Sequence, residues 1–261
     1  MRADLYLVQT GFAESRQKAQ RLLKDGCVKI DGVTIQKPSE PIDETVLHDT
    51  VILKEEKYVS RGGLKLEGAL DAFSVEVQGL TCLDVGASTG GFTDCLLQRG
   101  ANRVYAFDAG KNQLHPRIAV NPRVCAAEGI NARFLTPSDV GEAVDLVVMD
   151  VSFISQTLIL PVLPPLMKSD GRLISLIKPQ FEAGKSALGK NGIVRKPADR
   201  KRAVERVILC AESAGFACFG LMRSPIEGGD GNEEFLAAFA LRETRRPDKP
   251  WQETLKALTT G

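Results

Sequence analysis

The residues best suited to chemistry in this chain stand at the ends of its most apolar stretches. Asp84, Asp108 and Asp150 each close a short hydrophobic run, and Asp84 leads directly into a glycine-rich turn, VGASTGGF, at residues 85–92. Glycines let a backbone come close to a ligand and adopt positive φ, while Ser88, Thr89 and the free N–H groups of a following helix offer donors. The dinucleotide fingerprint needs a glycine two residues after the first, and here that position is Ser88. Asp108 lies 24 residues after Asp84, where an acid can accept hydrogen bonds from both hydroxyls of a nucleoside ribose. Lys65, Lys178 and Glu234 complete the set able to move or hold protons. Only two histidines exist, His48 and His115, so neither a zinc site nor a Ser-His-Asp triad is supported. Taken singly, each acid could be a helix cap and each lysine a solvated side chain; it is their convergence on one mouth that points to a site.

That convergence needs a scaffold, and the chain alternates in the way that builds one. An amphipathic helix is expected at Leu64 to Phe73, then a strand ending at Val85, a helix from Gly91 to Arg99 and a strand from Arg103 to Asp108. A helical stretch around Gln113 to Ala119, a short strand at Arg123 to Ala126 and the apolar strand Val144 to Asp150 follow. Next come a helix from Ser155 to Met167, a strand from Arg172 to Lys178, a glycine-rich loop at Phe181 to Pro197, and a helix from Ala198 to Ser213. Strands near Phe216 to Ser224 and Glu234 to Leu241 close the series, the second antiparallel. Such alternation predicts an α/β fold with a doubly wound, Rossmann-like sheet that binds its ligand at the carboxyl ends of the strands. Lys178 then ends the fifth strand and Glu234 opens the last, antiparallel one, so both reach the mouth where Asp84, Asp108 and Asp150 stand. Glu128 to Asn131 falls where an adenine is usually held.

The first part of the chain is a different object. Ala19, Leu22 and Leu23 share one face of a helix from Ser15 to Lys24 whose other face is basic, and Asp31-Gly32 is a strong hairpin turn between Cys27 to Ile30 and Val33 to Ile35. Val46 to Leu53 reads as a closing strand. The expected division is residues 1–57 as a small α+β domain, 58–63 as a linker, 64–244 as the sheet domain and 245–261 as a polar tail. With 34 basic and 33 acidic residues the net charge is +1, so nucleic-acid binding must be argued from local patches. No apolar run approaches the roughly 20 residues that span a bilayer, and the first residues lack a signal-peptide core, which predicts a cytoplasmic protein without membrane or metal partners.

The pattern SRxxAQxLLKxGxVxIDGxxxxKPS resembles the S-four-like RNA-binding domain of a ribosomal protein and several RNA-modifying enzymes. The resemblance implies that Arg16, Lys18, Arg21, Lys24 and Lys29 face RNA phosphates, contacts that give affinity rather than sequence specificity. The Asp-x-Gly-x-x-x-Gly turn resembles that of S-adenosylmethionine (SAM) methyltransferases. This implies a cofactor site formed by Asp84, Gly86, Ala87, Ser88, Thr89, Gly90, Gly91, Phe92, Asp108, Glu128, Asn131 and Asp150.

The residues directly after Asp150 narrow the choice of acceptor atom. Enzymes that methylate exocyclic amines carry Asn-Pro-Pro-Tyr or a relative there to hold a flipped base, whereas this chain has Asp150-Val151-Ser152-Phe153. Methylation of a pyrimidine carbon needs a cysteine nucleophile, usually in Pro-Cys, and no Pro-Cys occurs. An oxygen acceptor remains. Lys65, Asp150, Lys178 and Glu234 resemble the Lys-Asp-Lys-Glu quartet of FtsJ-type ribose 2′-O-methyltransferases. With YVSRGGxKL, DVGxSTGGFTDxLLxxGA, DxSFIS, LIKPQFEAGK and GNxEF, nearly the whole chain resembles the TlyA (haemolysin A) family of rRNA cytidine 2′-O-methyltransferases. The resemblance implies SAM as cofactor and rRNA or ribosomal subunits as partner. It also implies Lys178 nearest the attacking oxygen, Asp150 and Lys65 tuning it and holding the ribose, and Glu234 orienting Lys65 or the hydroxyl. Three other readings are weaker. An RNA-binding protein with an inactive methyltransferase fold has no need of an intact quartet. A pore former lacks a spanning segment or a strongly amphipathic membrane helix. A pseudouridine synthase sharing the first domain needs no glycine turn.

Overall fold

The protein is described from a computed structural model covering residues 1–24, 26–52, 57–189, 192–228, 231–241 and 251–259. The chain divides into two units, Met1–Lys57 and Tyr58–Gly261.

In the first unit, helices α1 (Ala3–Gln9) and α2 (Arg16–Lys24) pack on a three-stranded sheet ordered β2-β1-β3, with β1 at Val28–Ile30, β2 at Val33–Thr34 and β3 at Thr50–Ile52. Its core joins Ala3, Tyr6 and Leu7 of α1 to Leu22 and Leu23 of α2 and to Val28 and Ile30. Helix α1 was not expected from the sequence, because its buried face contains Asp4. That carboxylate is made tolerable by Arg2 and Arg16 at 2.9 and 3.0 Å and by Gln20 at 2.8 Å, and the Arg2 hydrogen bond, ahead of those from Gln20 and Arg16, holds it well below the usual carboxylate range. The closing strand is shorter than expected: Val46 and Leu47 are exposed loop residues, and Leu53 lies outside the described residues. His48 explains the difference, since its ring meets Asp31 Oδ2 and the Asp43 carbonyl, each at 2.6 Å, and fixes 43–49 as a loop.

The second unit is built on a seven-stranded sheet ordered β6-β5-β4-β7-β8-β10-β9. Its strands are β4 (Thr81–Val85), β5 (Arg103–Asp108), β6 (Val124–Glu128), β7 (Val144–Met149), β8 (Met167–Ile177), β9 (Phe216–Arg223) and β10 (Phe235–Leu241). β4 to β8 run parallel, and β10 is antiparallel to both its neighbours, as the sequence indicates. Strands β4 and β7 are almost entirely buried because helices and turns cover both faces of the sheet, which is why they read as continuous apolar runs. One face carries α3 (Gly62–Ala72) and α4 (Gly91–Gln98) over Cys82, Val104, Leu146 and Ile174. The other carries α8 (Pro197–Ser213) over Leu83, Val147, Leu173 and Phe239. The short helices α5 (Pro116–Ala119), α6 (Pro137–Val140) and α7 (Pro179–Glu182) join strands at the rim.

Three expectations need correction. The helix expected at Ser155 to Met167 is three short 3₁₀ turns, Gln156–Leu158, Leu160–Val162 and Pro164–Leu166. Pro161, Pro164 and Pro165 each remove a donor and break an α-helical ladder. The segment 58–63 is no free linker, because Tyr58 and Val59 are buried in the second unit and Val59 N–H donates to Asp94 Oδ2 at 2.8 Å. A Cβ on Gly63 would come within 2.3 Å of the Tyr58 ring, so glycine there is what lets the segment lie flat on α3. The tail contains a helix, α9 (Trp251–Thr259), whose Trp251 and Leu255 are buried against α8 and β9; residues 242–250, where the tail was expected to begin, lie outside the described residues. Among the described residues no helix is long and apolar enough to cross a membrane.

Candidate active site

A cavity of about 380 Å³ opens beyond the carboxyl ends of β4, β5 and β7, walled by Gly86, Ser88, Asp108, Gln113, Asn131, Asp150 and Phe153 among others. Strand β4 ends one residue short of Gly86, whose φ of +89° is open to glycine at little cost; a Cβ there would also lie 2.5 Å from the Asp150 carbonyl oxygen. Backbone therefore meets backbone at the bottom of the cavity. Gly86 and Ala87 N–H both donate to the Phe107 carbonyl, at 2.8 and 3.1 Å, which ties the turn to β5. Asp108 arranges the rim, its Oδ2 accepting from Ser88 N–H at 2.8 Å and its Oδ1 from Gly110 N–H at 2.6 Å.

The other residues expected to bind the cofactor are placed unequally. Asp84 is fully buried beneath the turn; Thr93 Oγ1 donates to its Oδ2 at 2.7 Å, while Oδ1 is buried without a hydrogen-bond partner among the described residues. Burial pushes this carboxyl up to about 7. Ala87 is buried, Thr89 lends its carbonyl to His115 N–H at 3.2 Å, and Gly90 and Gly91 start α4. Phe92 is core, its ring beside Gly62 and away from the cavity wall. Asn131 is on the wall. Glu128 is not: its carboxylate accepts from Asn112, Gln113 and Leu114 N–H at 2.6, 2.9 and 3.3 Å. Those backbone hydrogen bonds, Gln113's foremost, lower its pKa, so Glu128 shapes the loop that carries Gln113 into the cavity.

The quartet forms two ion pairs, from residues flanking β7, β8 and β10 and from Lys65 on α3. Lys178 Nζ lies 2.5 Å from Asp150 Oδ1 and donates to Ser152 Oγ at 2.9 Å. Lys65 Nζ donates to Glu234 Oε2 at 2.5 Å, with both residues buried. Sheet register explains why they meet. Phe235 pairs with Ile177 in antiparallel register, so one further step brings Glu234 opposite Lys178, while Asp150 continues β7 on the other side of β8. The buried pair Lys65–Glu234 costs desolvation and persists only with good geometry, which its 2.5 Å hydrogen bond supplies, whereas Lys178 and Asp150 are half-buried and meet as charges without an aligned hydrogen bond to Asp150 Oδ1 among the described residues.

Sequence reasoning missed Ser152, Gln113 and Phe153. Phe153 has φ +64° and is 91% exposed, yet lies on the cavity wall with its ring 5.2 Å from Phe181. A bulky residue in the left-handed region is strained and persists only where its surroundings impose it. Glu182 fixes the residues that follow, accepting from Ser155 Oγ at 2.6 Å and from Gln156 N–H at 2.7 Å. The DxSFIS motif was the available signal, but nothing in its letters shows the backbone sign of Phe153.

In the first unit, Lys24 is exposed on α2 and Lys18, Arg21 and Lys29 are placed with their residues exposed or half-buried. Arg16 is exposed but already spends its Nε on Asp4, so it serves the fold of the unit as well as its surface.

Comparison with known proteins gives two matches within the chain: FtsJ-like methyltransferase over residues 58–241 and S4 domain over residues 1–46. The chain is 45% identical to the 16S/23S rRNA (cytidine-2'-O)-methyltransferase TlyA of Mycobacterium tuberculosis over 90% of its own length and 88% of that protein's. It is 40% identical to Hemolysin A of Brachyspira hyodysenteriae, over 92% of this chain and all of that one. A solved chain from Streptococcus thermophilus, described as a candidate hemolysin, superimposes with a TM-score of 0.78 at 40% identity, covering 99% of this chain and 94% of the other.

Proposed function

The chain belongs to the FtsJ-like methyltransferases, with an S4 domain ahead of the catalytic one, and from that premise we propose that it is a SAM-dependent rRNA (cytidine-2′-O)-methyltransferase. The observation that carries this reading is the pair of short contacts, Lys178 with Asp150, which lines the cavity, and Lys65 with Glu234, which sheet register brings beside them. The residues fit SAM. Gly86, held to glycine by the Asp150 carbonyl, makes a stretch of the cavity wall bare backbone, and Asp108 faces the cavity between two N–H donors. The orphaned Asp84 oxygen adds a buried acceptor beneath the turn. When bound, SAM supplies a methyl group already activated on a sulfonium.

The chain's own part is to present an oxygen and remove its proton. A ribose 2′-hydroxyl is a weak nucleophile, so deprotonation must accompany attack. Lys178 is the acceptor of that proton. It takes that proton as the free amine, so the resting ion pair with Asp150 first releases the ammonium proton to solvent, which the half-buried Lys178 can reach. Ser152 and Asp150 fix its position, and Lys65, anchored by Glu234, holds the ribose. Phe153, exposed at the mouth, offers a face on which a base can stack. Positioning supplies much of the rate, because little covalent help is needed. The S4 domain supplies affinity for rRNA phosphates through Lys24, Lys29 and their neighbours.

Substitution at Lys178 tests the assignment. Lys178→Ala and Lys178→Arg should both bind SAM with unchanged affinity and both lose methyl transfer, because a guanidinium stays protonated and cannot accept the proton. Full activity in Lys178→Arg would remove Lys178 as the base.

A further inference from the structure

A second cavity, of about 390 Å³, shares no lining residue with the first and is lined in part by Glu234, the carboxylate that holds Lys65. Its other charged walls are Arg195, Arg200 and Arg223, with Glu227 and Glu233. We propose that this cavity receives the nucleotide adjoining the target cytidine, with Arg195 contacting its phosphate; the proposal rests on the rRNA 2′-O-methylation reading above.

Charge, size and position each support it. Glu234 is neutralised by Lys65, and Glu233 is bridged by Arg200 at 3.1 Å and Arg223 at 2.8 Å. Among the described residues that line it, and with Glu234 set against Lys65, three arginines face Glu227 and Glu233, an excess of one positive charge that matches one phosphodiester. Among the described residues, Arg200 Nε and Glu233 Oε1 are buried without hydrogen-bond partners, a donor and an acceptor that a bound group or a water would satisfy. The volume falls within the range of roughly 300–1,000 Å³ typical of small-molecule sites. Position weighs most. Asp150 lines the first cavity and Glu234 the second, while register sets Lys178 between them. A ribose whose 2′-oxygen attacks beside Lys178, with the cofactor in the first cavity, therefore has its neighbour along the strand directed to the second.

The wall is also held in place. Asn232, buried, accepts from Val194 N–H at 3.1 Å and donates to the Gly192 carbonyl at 3.3 Å, and Arg200 donates to the Arg195 carbonyl at 2.8 Å. The backbone bearing Arg195 is thus fixed against the segment bearing Glu234, while the Arg195 residue is exposed.

The test uses Arg195→Glu and Arg195→Lys in the full chain, with purified ribosomal subunits as the RNA. Arg195→Glu should raise both the Kd and the KM for subunits about tenfold and reduce the salt slope of binding by about one unit, leaving kcat and SAM affinity unchanged. Arg195→Lys, which keeps a cation, should retain most of the affinity. Unchanged subunit affinity in Arg195→Glu would overturn the proposal, and so would a fall in kcat at constant KM. Binding is read without catalysis, so a wild-type protein that transfers no methyl group to ribose would defeat the functional reading while this subsite is judged on affinity.

Discussion

At the scale of single residues, Asp84 is the clearest case of stability given up at the site. Its carboxyl is fully buried with one oxygen unpartnered, and burial raises its folded value from 3.8 to about 7. A group raised on folding contributes stability that is complete below its unfolded value and is lost as pH climbs through the folded one. Asp84 therefore works against the fold across the window from about pH 4 to 7. Asp84→Asn removes that dependence, so the variant should gain on the wild type by roughly 2–4 kcal/mol between pH 4 and 8, read from chemical denaturation at each pH. A difference that stays flat across the window would contradict the assignment. The acids at strand ends were legible because each closes an apolar run, and the quartet because its members sit in recognisable motifs. Glu128 was misread for a physical reason: an acid after a strand can face a ligand or cap a loop, and only the three N–H groups at 112–114 decide it. Phe153 escaped because backbone sign is not written in composition.

At the scale of elements, what positions Lys178 and Phe153 is the polar clasp beneath them. Gln156, 2% exposed, donates Nε2 to the Leu176 carbonyl and accepts from Ser175 Oγ, both at 2.6 Å, while its N–H donates to Glu182. The clasp ties the segment after β7 to the end of β8 and to α7. Gln156→Ala would leave the Leu176 carbonyl and the Ser175 hydroxyl buried and unpaired, at about 1–3 kcal/mol each. The denaturation midpoint should fall at unchanged m-value, and a loss under about 0.5 kcal/mol, typical of a surface position, would show that the clasp is not structural. Strands and most helices of the second unit were readable from apolar runs and glycine breaks. The stretch at 155–167 was not, because its apolar spacing suits a helix while Pro161, Pro164 and Pro165 forbid one; α1 was missed because its buried Asp4 hides the apolar face.

At the scale of the whole molecule, the proposed function divides affinity from chemistry between the two units. Reversing charge at Lys24 and Lys29 should weaken binding to ribosomal subunits and lower the salt slope by about one unit per lost phosphate contact, with SAM affinity unaltered. Equal loss for both ligands would mean that the S4 domain acts by supporting the catalytic unit. The two-unit organisation was visible in the sequence because the basic helix and hairpin share no periodicity with the alternating strands of the larger unit. The central claim is tested most directly by locating the transferred methyl group. Purified subunits are incubated with the protein and methyl-labelled SAM, and the rRNA is digested to nucleosides and separated. Label is expected in 2′-O-methylcytidine; label on a base, or no transfer to rRNA at all, would contradict the claim.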